Sequence, residues 1–287
     1  MKNLYDREYL CRVNGVELHV VEAGPEGGTP LLFLHGFPEF WYGWKNQIRF
    51  FASRGFRVIV PDQRGYNLSS KPVGVEFYKL GTLVKDIQEL LTYLGLRDVF
   101  LAGHDWGGIV TWQLAVQHPE LFKKVIVLNV PHPAALKSGF SFIQVLKSWY
   151  IYFFQLPFLP EWMLKRKRFQ KLVAMMGSTA RGGTFKEYDM ELYRQAWKGS
   201  LKSMINWYRA MKYSREFRDH IRRPGIVHLP LLFIWGRQDA TLSFKLAKAS
   251  LQYCKDVKFL FFSDATHWVQ HEKSEEVNDA IFNFISG

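Results

Sequence analysis

The stretch "DVFLAGHDWGGIVTWQLAVQHPE", residues 98 to 120, joins three local signals. An apolar run, "DVFLA", leads into the glycine-rich "GHDWGG" of residues 103–108. The apolar residues of "IVTWQLAVQHPE" then recur at helical spacing. Together they predict a strand, a tight turn and a helix. Asp105 stands in the middle of the turn, with Gly103 two residues before it and Gly107 two after, so the backbone has room to fold sharply there. An aspartate in a glycine-rich turn is more often only a helix cap. Its position at the end of an apolar run favours a turn that presents the carboxylate.

Outward from this unit the pattern repeats. "PLLFLHG", "FRVIVPD" and "KVIVLNV" are short continuous apolar runs, as expected of strands buried on both faces of a parallel sheet. Between them lie helix-period stretches. The clearest is "TLVKDIQELLTYLG", with Leu83, Ile87, Leu90, Leu91 and Leu94 on one face and Gly95 as its stop. Roughly residues 8 to 23 alternate around an Asn-Gly pair, which predicts a hairpin. Alternating strands and helices mean a wound α/β sheet.

After "NVPHPAAL" the chain turns aromatic-rich, basic and mainly helical, and buried strands resume only with "LPLLFIWG" and "VKFLFF" before a closing helix in "SEEVNDAIFNFI". The expected organisation is one core, residues 1–131 and 227–287, with residues 132–226 inserted as a helical unit. The inserted unit carries 18 Lys and Arg against 6 Asp and Glu, and the rest of the chain holds 20 of each sign, so it accounts for the whole net charge of +12. A solvated surface is the first explanation of that excess. An anionic membrane surface beside "WMLKRKRF" is the second. Nothing else in the chain suggests a nucleic-acid module.

Length and composition bound the remaining classes. A chain of 287 residues, 48% hydrophobic, can bury a large core. The first residues lack the apolar region of a signal peptide, and "SWYIYFFQLPFLPEW" is broken by Pro157 and Pro160 before it reaches membrane-spanning length. Cys11 and Cys254 have no metal-ligand or CxxC spacing, so neither a disulfide framework nor a metal is expected. A cytoplasmic location follows as the expectation. Repeats and low-complexity tracts are absent, and "GSTARGGT" (177–184) is the best candidate for a mobile loop.

Gly103 to Gly107 has the form of a nucleophile elbow with aspartate in the serine's place. That architecture places nucleophile, acid and histidine in this chain order. Asp239 in "FIWGRQDATL" and His267 in "FFSDATHWVQHE" both follow buried strands, where α/β sheets put their sites. His271 and Asp264 are rivals, but His271 lies at the approach to a helix and Asp264 is too close to His267 in sequence for the opposed geometry. His35 and His104 suit structural hydrogen bonds at strand ends. "HGFPEFWYGW" follows the first buried strand, and the N–H groups of Phe37 and Trp106 could form an oxyanion hole.

A carboxylate needs no base to attack, and it suits saturated carbon, with which it forms an alkyl ester. That ester must be hydrolysed by water that His267 deprotonates while Asp239 orients the ring. Halide and the strained oxygen of an epoxide are the two leaving groups that fit. An epoxide also needs a proton donor opposite Asp105, for which a lid tyrosine would serve.

Eight motifs, "HGFPEFWYGW", "DQRGYNLSSKP", "GHDWGG", "NVPHP", "YIYFFQLP", "NWYR", "WGRQDA" and "ATHWVQHEK", occur in the order found in the soluble α/β-hydrolase-fold epoxide hydrolases. The chain resembles that family over almost its whole length. The resemblance implies a mostly parallel eight-stranded sheet with helices on both faces and an inserted helical cap. It implies water addition to an apolar epoxide without a cofactor, with the cap tyrosines Tyr150 and Tyr208 holding the epoxide oxygen. Tyr152, two residues on, is the reserve for Tyr150. Phe37, Pro38, Trp106 and Trp268 are the expected substrate contacts, and the protein is expected to be a monomer or homodimer. Haloalkane dehalogenase is the competing enzyme, and a non-catalytic binder the competing class. Phe37 stands where a dehalogenase commonly has a halide-holding Asn. Fluoroacetate dehalogenases carry an Arg at the position of Trp106, which disfavours an anionic substrate.

Overall fold

The structure is a computed structural model in which residues 4–138 and 142–287 are described. Eight strands form one sheet: β1 (Arg7–Val13), β2 (Val16–Ala23), β3 (Thr29–Leu34), β4 (Phe56–Pro61), β5 (Val99–His104), β6 (Phe122–Leu128), β7 (Leu231–Gly236) and β8 (Val257–Phe262). Their order across the sheet is β1-β2-β4-β3-β5-β6-β7-β8. Asn14 and Gly15 both take positive φ, 46° and 74°, and turn β1 back on β2 with Val13 opposite Val16. β2 also pairs antiparallel with β4, and every later pairing is parallel. The wound sheet expected from the apolar runs is therefore present, with the eight mostly parallel strands that the resemblance implies.

Burial explains those runs. All six residues of β5 and of β7 are buried, because helices cover both faces of the sheet at its centre. β8 lies at the edge and none of its residues is fully buried. The covering helices are α1 (Lys45–Ala52), α2 (Leu80–Tyr93) and α3 (Trp106–Gln117), and, after β7, α11 (Phe244–Ser250), α12 (Val269–Glu272) and α13 (Ser274–Ser286). Leu83, Ile87, Leu90 and Leu91 of α2 are buried, as their spacing predicts.

Between β6 and β7 the named elements are all helical: α4 (Ala135–Ser138), α5 (Phe142–Lys147), α6 (Trp149–Phe153), α7 (Leu159–Thr179), α8 (Glu187–Trp197), α9 (Leu201–Ala210) and α10 (Arg215–Arg222). α7 breaks at Arg166–Phe169. It also extends through Thr179, so the first three residues of the glycine-rich "GSTARGGT" are helical and only the remainder is loop. Among the described residues no helix is long and apolar enough to cross a membrane.

Candidate active site

β5 and α3 meet at Asp105, whose φ of 50° and ψ of −120° lie outside the ordinary regions for a side-chain-bearing residue. The turn is held open for it by glycine. A Cβ on Gly107 would lie 2.1 Å from the carbonyl oxygen of Leu34, and one on Gly36 would lie 2.4 Å from the Asp105 side chain. The sharp reversal lifts the carboxylate above the carboxyl ends of the parallel strands. There the Phe37 N–H donates to Asp105 Oδ1 at 2.8 Å. Trp106 is the first residue of α3, so its N–H is among those without an intrahelical acceptor.

His267 and Asp239 converge on the same point from the loops after β8 and β7. The Nδ1 of His267 is 2.8 Å from Asp239 Oδ2, and its Nε2 is 3.7 Å from Asp105 Oδ2. The Asp239 carboxylate is saturated. Its Oδ2 also accepts from Asn129 Nδ2 at 2.8 Å, and its Oδ1 accepts from the Thr241 N–H at 2.7 Å, the Thr241 hydroxyl at 2.8 Å and the Leu242 N–H at 2.9 Å. Burial alone would raise its pKa, but the His267 charge and these donors hold it down at about 2. Burial likewise favours neutral His267, and the charges of Asp239 and then Asp105 overcome it to lift the ring to about 9.

The rivals are occupied elsewhere. Asp264 is about half exposed and pairs with Lys273 at 2.8 Å and Arg181 at 3.0 Å. His271 is buried against Glu39 at 2.7 Å. His35 accepts the Gln63 N–H at 3.0 Å through Nε2, and His104 donates from Nε2 to the His267 carbonyl at 2.8 Å, the strand-end roles expected of them.

Above Asp105 sits an aromatic enclosure. The Tyr208 ring meets Phe37 at 5.2 Å, Trp106 at 5.1 Å and Tyr150 at 5.9 Å between centroids, all edge to face. Burial first, and then the Asp105 charge, pushes both phenols above their ordinary pKa, so each stays a neutral donor. The Trp106 ring packs edge-on against Tyr208, and among the described residues no acceptor is found for the Tyr208 phenolic proton, which can point at a ligand. Tyr152 is 62% exposed on the outside of α6. Pro38 follows a cis peptide, and its carbonyl accepts from the Trp197 indole at 2.6 Å. Trp268 packs edge-on to His267 at 5.2 Å and donates to Thr179 Oγ1 at 3.0 Å.

Sequence reasoning missed Asn129 and the group around Glu39. Glu39 is buried, and its Oε1 accepts from His271 and from the Tyr193 hydroxyl, each at 2.7 Å, while its Oε2 accepts from Gln270 at 3.0 Å. Burial would raise its pKa, yet His271 and His104 hold it well below the usual carboxylate range. Only the signals "NVPHP" and "HGFPEF" marked these residues, and neither stretch reveals its partners.

A family model described as the alpha/beta hydrolase fold matches residues 29–274. Human epoxide hydrolase 4 is 36% identical over 282 residues, covering 95% of this chain and 76% of that protein. The chain belongs to the α/β-hydrolase-fold epoxide hydrolases. A Bacillus subtilis protein called an AB hydrolase superfamily protein is 43% identical over 280 residues, covering 96% of each chain. The crystal structure of Bacillus megaterium epoxide hydrolase with an inhibitor superposes with a TM-score of 0.87 at 33% identity, covering 97% of this chain and all of that one. As a member of this family the protein is a hydrolase.

Proposed function

We propose that this protein adds water to an apolar epoxide, giving a vicinal diol through a covalent ester on Asp105. The carrying observation is the opposition of the Asp105 carboxylate to two neutral phenols, Tyr150 and Tyr208, inside an enclosure otherwise lined by apolar rings. Residues 132–226 form the cap that brings the tyrosines down, and residues 1–131 and 227–287 form the core beneath it. The names of the epoxide hydrolases similar to this chain favour the same substrate class.

In the first step Asp105 Oδ2 attacks an epoxide carbon, the carbon–oxygen bond breaks, and a tyrosine gives its proton to the departing oxygen. Without that proton the leaving group is an alkoxide. In the second step His267 takes a proton from water, and the oxygen adds to the Asp105 carboxyl carbon. The N–H groups of Phe37 and Trp106 hold the oxyanion that forms, and Phe37 already contacts Asp105 Oδ1. Collapse of the intermediate releases the diol and restores the carboxylate. The protons taken up from water return to the tyrosine and the product.

The charges favour this order of events. Asp105 helps keep His267 protonated in the resting site, and esterification cancels that charge. The imidazole then gives up its proton more readily, so the base becomes available only once there is an ester to hydrolyse. We expect His267→Gln, mixed with a reactive aryl epoxide and quenched rapidly, to show by mass spectrometry an adduct of one substrate mass on the peptide containing Asp105. An unmodified peptide in a variant that still binds the epoxide would sink the covalent scheme.

A further inference from the structure

A second concavity, of about 1010 Å³, lies on the side of α9 away from Tyr208. None of the residues given a chemical role above lines it. Its floor is apolar and buried, made by Phe169, Trp197 and Leu201. Its rim carries Phe158 and Val73, which are 80% and 81% exposed although both are large apolar side chains. Isolated exposed apolar residues need no explanation, but apolar residues gathered around one concavity mark a binding surface.

The charges around the same cavity that lack a carboxylate partner are all positive. Lys165, Lys198, Lys202 and Lys212 all line it, and no ion pair to a carboxylate exists for any of them among the described residues. The acid in the lining, Glu161, is held by Arg209 at 2.5 and 3.0 Å. The remaining lining cation, Arg168, is paired with Glu191 at 2.9 Å. Four lysines without a carboxylate partner therefore line a cavity with an apolar floor, the Lys212 ammonium lying over the Tyr213 ring at 4.8 Å, and low-dielectric walls focus their field. On a flat face water would solvate such charges at little cost. In a concavity they select an anion that also brings apolar surface.

We propose that this cleft binds a single-chain anionic amphiphile, a fatty-acid-like monomer with one alkyl chain and one carboxylate. The chain lies over Phe169, Trp197 and Phe158, and the carboxylate meets the lysines. The volume is at the upper end of the roughly 300–1,000 Å³ typical of small-molecule pockets, enough for one chain and its head group. The concave shape favours a monomer over a bilayer, because a membrane-docking helix presents a protruding apolar face. Binding here is independent of the chemistry at Asp105.

The test is calorimetric titration of the whole protein with decanoate, kept below the concentration at which it forms micelles. Saturable binding of one decanoate is expected, with 1-decanol at least about tenfold weaker, the loss set by removing charged hydrogen bonds. The double substitution Lys198→Gln with Lys202→Gln should weaken decanoate by about tenfold or more, and Phe158→Ala should weaken decanoate and decanol alike. Unchanged circular dichroism and melting temperature show that the variants are folded. Absence of saturable binding overturns the proposal, as does decanoate binding that ignores both lysines, which would put the ligand in another cavity. Co-sedimentation with phosphatidylglycerol vesicles in the absence of decanoate binding would also overturn it and assign the lysines to a bilayer.

Discussion

Around Asp239 each carboxylate oxygen has at least two hydrogen-bond donors, and a chain of contacts ties the residue to Asn129, His267 and the turn at Thr241. Around Tyr150 and Tyr208 the packing is aromatic, and among the described residues the phenolic protons have no acceptor. The first arrangement fixes geometry before substrate arrives. The second leaves donors unspent for a substrate oxygen that the protein does not itself supply. In the proposed reaction core and cap divide the work: one carries the covalent chemistry, the other the recognition of the leaving oxygen.

The division breaks first at Asp105. Replacing it with Gly should remove turnover by about a million-fold, the scale seen when a covalent nucleophile is lost. The same substitution should raise the melting temperature, because φ of 50° with ψ of −120° strains an aspartate and not a glycine, and such strain costs of order 1–3 kcal/mol. Lower stability together with lost activity would mean that the elbow is relaxed in the folded protein.

The cap is tested next. Tyr150→Phe together with Tyr208→Phe should slow ring opening by about 100- to 10,000-fold, the range of a general acid, measured as the rate of ester formation in single-turnover mixing. Each single change should cost less, since the other phenol remains. Tyr152→Phe should change nothing. If the double variant forms the ester at the normal rate, the leaving group is one that needs no proton, and halide displacement becomes the better reading.

The two regions also differ in how far the sequence reveals them. Asp105, Asp239 and His267 are marked by their places after buried strands, because a parallel sheet puts its loops at one end and chain order then orders the residues. The cap has no such grid. Tyr150 and Tyr152 occupy equally aromatic sequence, and only the helical turn of about 200° between them sends one inward and the other to solvent. The resemblance names Tyr150, the one of the two whose ring packs against Tyr208, a distinction composition alone could not draw. Asn129 and Glu39 were invisible for another reason. Their partners lie 110 and 232 positions away, at Asp239 and His271, so nothing local distinguishes them from ordinary turn residues.

A smaller effect tests the electrostatics of the core. His267 has a native pKa of about 9, above its value in an unfolded chain, so its charged contacts stabilise the fold fully below pH about 6.5 and that gain is lost as pH rises toward 9. Wild type should therefore exceed His267→Gln in melting temperature at pH 6 and lose most of the difference by pH 9.5. Asp105→Ala should lower the His267 pKa followed by NMR, since it removes a negative charge that favours the imidazolium. An unchanged pKa would separate Asp105 from the histidine and remove the proposed timing of the base.

The smallest effect lies where core and cap touch. Tyr193 of α8 donates to Glu39 at 2.7 Å, and Glu39 is linked to His267 by hydrogen bonds only through His104 and the carbonyl that His104 binds, its charge adding to those that favour the imidazolium. Tyr193→Phe removes one hydrogen bond from a buried carboxylate that still has His271 and Gln270 as donors. The expected cost is about 1–3 kcal/mol of stability, read by urea denaturation. Turnover should change by less than about threefold, because the His267–Asp239 contact is set by Asn129 and the Thr241 turn and not by the cap. A loss of kcat comparable to that of the tyrosine double variant would show that the cap positions the base through Glu39, and the separation of covalent chemistry from oxygen recognition would fail at this hydrogen bond.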